Sequence, residues 1–394
     1  MTNRERVAAM RDLLRDSKLD FLVAALPANV LMLSGYWPVV GTGVAVGSAE
    51  GRISLLVPED EADLTKTGWA DEVKTFRPGS LDKIETVAAA IRDPLKRLVD
   101  ASEASIGFED GETSEPGSYS AMHLYGGSMA RLLADCFPNA RISPADAVIA
   151  ELRARKTPVE IARLRNACEI AGGAFKKGAA AILSGKTEID VADAFRYPLS
   201  AGAVHYPGVQ RADGFAWCMS GANSALAAGA YARSRTKKIE RGDLVLIHCN
   251  SYADGYWTDI TRTFCTGEPD QRQGAIFDAV FEAREAALDA IRPGAAAASV
   301  DKAARDTMRK RGFGEAFKHS TGHGVGFGAI GADAVPRLHP LSPDVLQPGM
   351  VFNVEPAAYF DNYGGIRHCD MVAMTADGYE LLTPFQCDKA DLSA

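Results

Sequence analysis

The stretch that most constrains this chain is 244–264, LVLIHCNSYADGYWTDITRTF, in which two β-prone runs flank Asp254-Gly255. An Asp-Gly pair between such runs is a strong hairpin signal, because the favoured two-residue turns need positive φ at their centre. The register of that hairpin decides what His248 meets. With Ala253-Asp254 as the loop, His248 faces Asp259; with Asp254-Gly255, its partner moves by two residues. In both registers the two side chains share a face, since a strand alternates its side chains with period two. An imidazole and a carboxylate on one face are competent as metal ligands or as an acid–base pair, and a plain sheet histidine bonded to an aspartate fits equally well.

Two later stretches carry the same kind of residue. In HSTGHGVGF (319–327), His319 and His323 have i, i+4 spacing, but Gly322, Gly324 and Gly326 argue against a helix, so only one of the two is expected to point into a site. Glycines on both sides of His323 allow close backbone approach. In GMVFNVEPAAYFDNYGGIRHCDMVAMT, Glu355 ends one strand, and Arg367, His368, Cys369 and Asp370 lie on the next. Alternation puts His368 and Cys369 on opposite faces, so only one can join Glu355. His248, Asp259, His323, Glu355 and Cys369 thus form an ordered series.

The rest of the 394 residues reads as two units. An opening helix (Val7, Met10, Leu13, Leu14), the run FLVAAL, strands at 43–48, 53–58 and 105–110, and helices at 83–98 and 118–135 make 1–152 an α/β domain. Near 150–157 a new unit begins, with Thr157 as N-cap, Pro158 at the first helical position and Glu160 closing a capping box. Helical stripes at 274–291 and 299–311, with strands at 215–219, 243–249, 256–264, 350–359 and 366–374, make 153–394 an α+β unit.

The balance of 43 basic and 51 acidic residues, net charge −8, with no basic run, excludes a nucleic-acid footprint. The charged N-terminus lacks a signal-peptide core and no apolar run would span a bilayer, so a cytoplasmic protein without membrane partners is expected. Seven scattered cysteines in a chain of this size predict free thiols.

The segments GDLVLI, DGYWTDITRTF, TGHGVGF, GMVFNVEPAAY and GGIRHCDMV, in this order, resemble the Xaa-Pro aminopeptidase, prolidase and creatinase group. The resemblance covers nearly the whole chain. It implies an α+β pita-bread catalytic domain preceded by a creatinase-like α/β N-terminal domain, a small-molecule or dipeptide substrate, and a homodimer. Family metallopeptidases hold two divalent ions with Asp, Asp, His, Glu and Glu. The matching positions here are His248, Asp259, His323, Glu355 and Cys369, so a histidine and a cysteine replace two carboxylates. Further departures are Ala228 and Ile330 where the family carries histidines. Tyr359 and Arg367 match positions that contact substrate or support the site. His339 is a candidate replacement for the missing histidines, and Trp37 a candidate substrate contact.

Three functions follow from that resemblance. The first is hydrolysis of a C–N bond with one ion, zinc or iron favoured over manganese or cobalt, held by His248, Asp259, His323 and Cys369, with Glu355 as a further ligand or general base. The second is a metal-independent, creatinase-like hydrolase or lyase of an amidine or betaine-type compound, with His323 and Glu355 as the acid–base pair and His248 as a further proton donor. The third is a binding protein on the same scaffold.

Overall fold

The computed structural model describes residues 3–39, 41–77, 86–99, 103–110, 127–229, 233–329 and 334–386. Two compact units emerge, Met1–Arg153 and Ala154–Ala394. The first parts of the helices expected at 83–98 and 118–135, together with Ile330 and Cys387, lie outside the described residues.

The first unit runs α1 (Arg4–Asp16), β1 (Phe21–Ala24), α2 (Pro27–Ser34), β2 (Val44–Ser48), β3 (Ile53–Pro58), β4 (Glu72–Phe76), α3 (Val87–Lys96), β5 (Ser105–Phe108), α4 (Gly127–Cys136), β6 (Arg141–Pro144) and α5 (Asp146–Ala154). Its six strands form one sheet in the order β4-β3-β2-β1-β5-β6. The β1–β5, β5–β6 and β3–β4 pairs are parallel, and β1–β2–β3 is an antiparallel meander. Val23, Val46, Leu56 and Ile106 on the sheet pack against Ile91, Leu95, Met129 and Leu133 of α3 and α4, so apolar periodicity on both sides makes the core. The N-cap position of α2, Leu26, has no capping side chain. The carboxylate of Glu109, just past β5, accepts from the Ala25 and Leu26 N–H groups at 2.5 and 2.7 Å and supplies the missing acceptor.

The second unit opens with α6 (Pro158–Gly178), whose capping box is complete: the Thr157 hydroxyl accepts from the Glu160 N–H and the Glu160 carboxylate from the Thr157 N–H. Then follow α7 (Glu188–Gly202), β7 (Ala212–Ser220), β8 (Leu244–Ala253), β9 (Tyr256–Cys265), α8 (Gln271–Ala290), α9 (Ala297–Lys310), β10 (Val351–Val354), β11 (Ala357–Phe360), β12 (Gly364–Arg367), β13 (Asp370–Met374) and β14 (Tyr379–Leu381). The sheets are β7-β8-β9, β10-β13-β14 and β11-β12.

The hairpin adopts the second of the two registers considered. Ala253 pairs with Tyr256, so His248 faces Thr261 and Asp259 faces Asn250. The turn residues Asp254 and Gly255 both have positive φ, 48° and 82°, as a primed two-residue turn requires.

The strands expected at 350–359 and 366–374 each break in two. Pro356, which cannot donate to a ladder, interrupts the first after Glu355. In the second, Cys369 leaves the strand line, and its backbone pairs with Thr261 of β9. Both breaks fall on candidate site residues, at the points where the chain passes from one sheet to the next. The six described cysteines are free and buried, and no helix among the described residues is long and apolar enough to cross a membrane.

Candidate functional site

The second unit gathers its polar residues on one face of the β7-β8-β9 sheet. Register places Trp217, His248 and Thr261 in one cross-strand row, and Phe215, Asn250 and Asp259 in the next. Glu355 comes from the β10–β11 break, Arg367 from the end of β12, and His323 from the glycine-rich segment. That segment lies against β10 because Gly324 bridges to Phe352. Its glycines are sterically required: a methyl on Gly322 would sit 2.0 Å from the Asn353 carbonyl oxygen, and one on Gly324 2.2 Å from that of Val335.

Asp259 is the centre. Its Oδ1 lies 3.3 Å from His248 Nε2, and its Oδ2 lies 3.5 Å from His323 Nε2. His323 Nε2 is also 3.9 Å from Glu355 Oε1, and Glu355 Oε2 is 3.8 Å from Arg367 Nη1. Arg367 donates from Nη2 to His248 Nδ1 at 2.6 Å and from Nε to the Thr261 hydroxyl at 3.0 Å. The ring of Trp217 stands edge-on to His248, with centroids 5.3 Å apart.

The electrostatics follow from burial and from these pairings. Burial opposes the charge on Asp259, yet the ring N–H groups of His248 and His323 turned toward it hold its carboxyl well below the ordinary range. Burial likewise disfavours a charged His323, but its hydrogen bond to Asp259 and the nearby Glu355 outweigh it and raise the imidazole to about 9. Glu355 is pushed up by burial and by Asp259, against the pull of Arg367 and His323. Cys369 is fully buried, and its thiol is raised by burial and by the same two carboxylates. It donates to the Asp259 carbonyl oxygen at 3.1 Å.

Only one of His368 and Cys369 joins the cluster, as alternation requires. It is Cys369. His368 turns to Asp370 and the ring of Phe281. Of His319 and His323, His323 is the one set against Asp259 and Glu355, while His319 Nε2 accepts from the Tyr359 hydroxyl at 2.9 Å. Burial lowers His319 to about 4 and keeps it neutral.

Asn353 is a residue that sequence reasoning passed over. Its Nδ2 donates to Asp259 Oδ2 at 3.3 Å and lies 3.3 Å from His323 Nε2. The available signal was a polar residue inside the apolar run VFNV, two positions before Glu355 and hence on its face. His339 is exposed, and its Nδ1 accepts the Leu341 N–H within its own turn. Trp37 is half-buried in the first unit, after α2. Ala228 ends a short 3-10 turn and brings no proton-transferring group.

Among the described residues, no group of three or more His, Cys, Asp or Glu side chains is arranged to hold a metal ion. The donor chemistry gives the reason. A guanidinium can only donate, so Arg367 takes the Nδ1 lone pair of His248 and leaves the proton of a neutral ring on Nε2. Cys369 is a protonated thiol engaged with a carbonyl. Asn353 turns an amide donor toward Asp259 and sits beside His323 Nε2. The five positions therefore do not form the ligand set expected from the sequence.

Residues 162–376 match Metallopeptidase family M24, and residues 6–155 match the Creatinase/Prolidase N-terminal domain. An Xaa-Pro dipeptidase of Pyrococcus furiosus is 31% identical over 384 residues, covering 96% of this chain and 98% of that protein. The crystal structure of the prolidase from Pyrococcus horikoshii superposes with a TM-score of 0.75 at 30% identity, over 96% of this chain and 98% of that one. The X-Pro aminopeptidase from Thermotoga maritima gives a TM-score of 0.78 at 25% identity, over 96% and 99%.

Proposed function

Because the chain belongs to metallopeptidase family M24, with that family's pita-bread catalytic fold behind a creatinase-type N-terminal domain, we propose that it is an Xaa-Pro peptidase-like hydrolase cleaving the C–N bond of a dipeptide or similarly small substrate. The observation that carries this reading is the convergence of Asp259, His323 and Glu355 from three separate elements onto one buried face. Hydrolysis of an amide needs a base for water and an acid for the leaving nitrogen. Glu355, desolvated and upward-shifted, takes a proton from the attacking water as the water oxygen bonds the carbonyl carbon. His323, held protonated by Asp259, gives its proton to the leaving nitrogen as the C–N bond breaks. Arg367 and Tyr359 orient the substrate beside them.

The family name implies a divalent metal. A two-ion centre does not fit a His248 capped by Arg367 and a thiol at Cys369. The single zinc or iron ion expected from the sequence would have only Asp259, His323 and Glu355 left to hold it. A metal-independent, creatinase-like hydrolase or lyase is the second reading, favoured by the same hydrogen-bonded and carboxylate-poor arrangement.

The deciding experiment is release of free proline from a panel of Xaa-Pro dipeptides, with and without added zinc, iron, manganese or cobalt, beside matched Xaa-Ala controls. Proline-selective release is the expected result. No release in any condition overturns the proposal, and turnover of creatine-like or betaine-like compounds instead selects the second reading.

The His323–Asp259 pair also gives a pH prediction for the chelator-treated protein. The folded imidazole titrates at about 9 against an ordinary value of 6.5. Its stabilisation is therefore complete below the unfolded value and is lost as pH rises through the folded one. Urea unfolding from about pH 6 to about pH 10 should show wild type losing stability on this alkaline limb, and His323→Gln should flatten it. Equal slopes in the two proteins would show that the pair is not formed.

A further inference from the structure

His248 Nε2 is a buried polar atom without an aligned hydrogen-bond acceptor. Such atoms are rare in folded proteins, and each calls for a partner outside the chain or a functional reason. Three neighbours hold the ring. Arg367 Nη2 lies 2.6 Å from Nδ1, the edge contact with Trp217 sets the ring plane, and Nε2 is turned toward the Asp259 cluster, 3.3 Å from Oδ1 but off the line of a hydrogen bond. Arg367 is itself fixed by the Thr261 hydroxyl and by Glu355.

We propose that Arg367 locks His248 in the Nε2–H tautomer, that His248 is therefore not a metal ligand, and that its free Nε2–H is a hydrogen-bond donor to the substrate carbonyl oxygen. The Arg367–His248 pair then supplies, from side chains alone, the electrophilic assistance to the carbonyl that a metal-held site would draw from an ion. This rests on the hydrolase reading above for its substrate half only. The tautomer half stands on geometry. Preorganised donors aimed at a developing oxyanion in a desolvated site each contribute about 10²–10³ in rate, and a ring clamped from Nδ1 is preorganised in this sense.

The test starts with protein carrying ¹⁵N-labelled histidine. Long-range proton–nitrogen spectra, with His248 assigned by its absence in His248→Gln, should show a neutral Nε2-protonated ring before and after addition of zinc. A ring protonated on Nδ1, or one whose Nε2 proton disappears on adding zinc, overturns the tautomer lock. Elemental analysis after zinc loading and desalting should find as much zinc in His248→Leu as in wild type. A fall in the variant returns His248 to the ligand set.

For the donor role, titration with a phosphinic Xaa-Pro analogue, a tetrahedral oxyanion mimic, should shift the Nε2 proton downfield, and an unmoved signal in the saturated complex overturns that role. On the cleaved dipeptide, His248→Leu should lower kcat on the order of 10²-fold with KM little changed, whereas His248→Gln, which keeps an N–H donor, should retain more. Equal losses in the two variants also count against the donor. Failure of the analogue to bind falls on the proposed function and on the donor half with it, and the zinc and tautomer measurements still decide the rest.

Discussion

Glu355→Gln is expected to lower the rate of proline release by about 10²–10⁴-fold, the usual contribution of a general base, while the folded protein survives. The substitution keeps size and shape at a residue that is only 7% exposed. It removes the one function an amide cannot perform, acceptance of a proton from water. The variant also loses a carboxylate whose nearest cations are 3.8 Å (Arg367) and 3.9 Å (His323) away, so the unfolding midpoint should move far less than the rate. Because burial raises Glu355 above the ordinary carboxylate value of 4.5, the acid limb of wild-type kcat/KM should lie above that value. A Glu355→Gln protein within a few-fold of wild type would remove the base from the proposed chemistry.

Asp370→Asn should be the most damaging single change to stability, at about 3–5 kcal/mol. Asp370 is fully buried behind Cys369. Its Oδ1 accepts from Arg262 Nη2 at 2.7 Å and from the Thr383 hydroxyl at 2.8 Å, and its Oδ2 accepts from Arg284 Nε at 2.5 Å. Arg262 is also fully buried and donates to the carbonyls of Thr261 and Cys369 at 2.9 and 2.7 Å. Two guanidinium groups thus share this carboxylate beneath the site, and removing its charge takes from the fully buried Arg262 the carboxylate it pairs with, while Arg284 keeps Glu285. Urea unfolding of the variant reads the loss directly. A change under about 1 kcal/mol, the range of an exposed pair, would mean that the carbonyl acceptors around Arg262 and the Glu285 carboxylate beside Arg284 satisfy the two cations. The network also anchors the backbone at Cys369 and Thr261, so a folded Asp370→Asn protein should show weakened hydrogen-exchange protection at that bridge.

Much of this protein was legible before any coordinates. The helix start at Thr157-Pro158, the Asp254-Gly255 hairpin and the alternation that separates His368 from Cys369 are local properties, set by capping, turn geometry and strand period, and these forces act over a few residues. The order of His248, Asp259, His323, Glu355 and Cys369 along the chain sufficed to bring them under one family, and four of them meet around Asp259. What local rules left open was the partner of each side chain. Both hairpin registers satisfied the same alternation, and only the closed sheet chose Thr261 rather than Asp259 opposite His248.

The sequence by itself determined the fold class and the helices, turns and strand alternation around the candidate residues, because apolar period, caps and turns are written locally. Tertiary structure alone decided what those residues are chemically. Arg367 lies 119 positions from His248 and nonetheless takes its Nδ1 lone pair. Asn353 inserts an amide between Asp259 and His323 from 94 and 30 positions away. Whether a histidine acts as ligand, acid or donor depends on which groups surround it and on the water excluded there, and those neighbours are brought together only when distant strands close over one another.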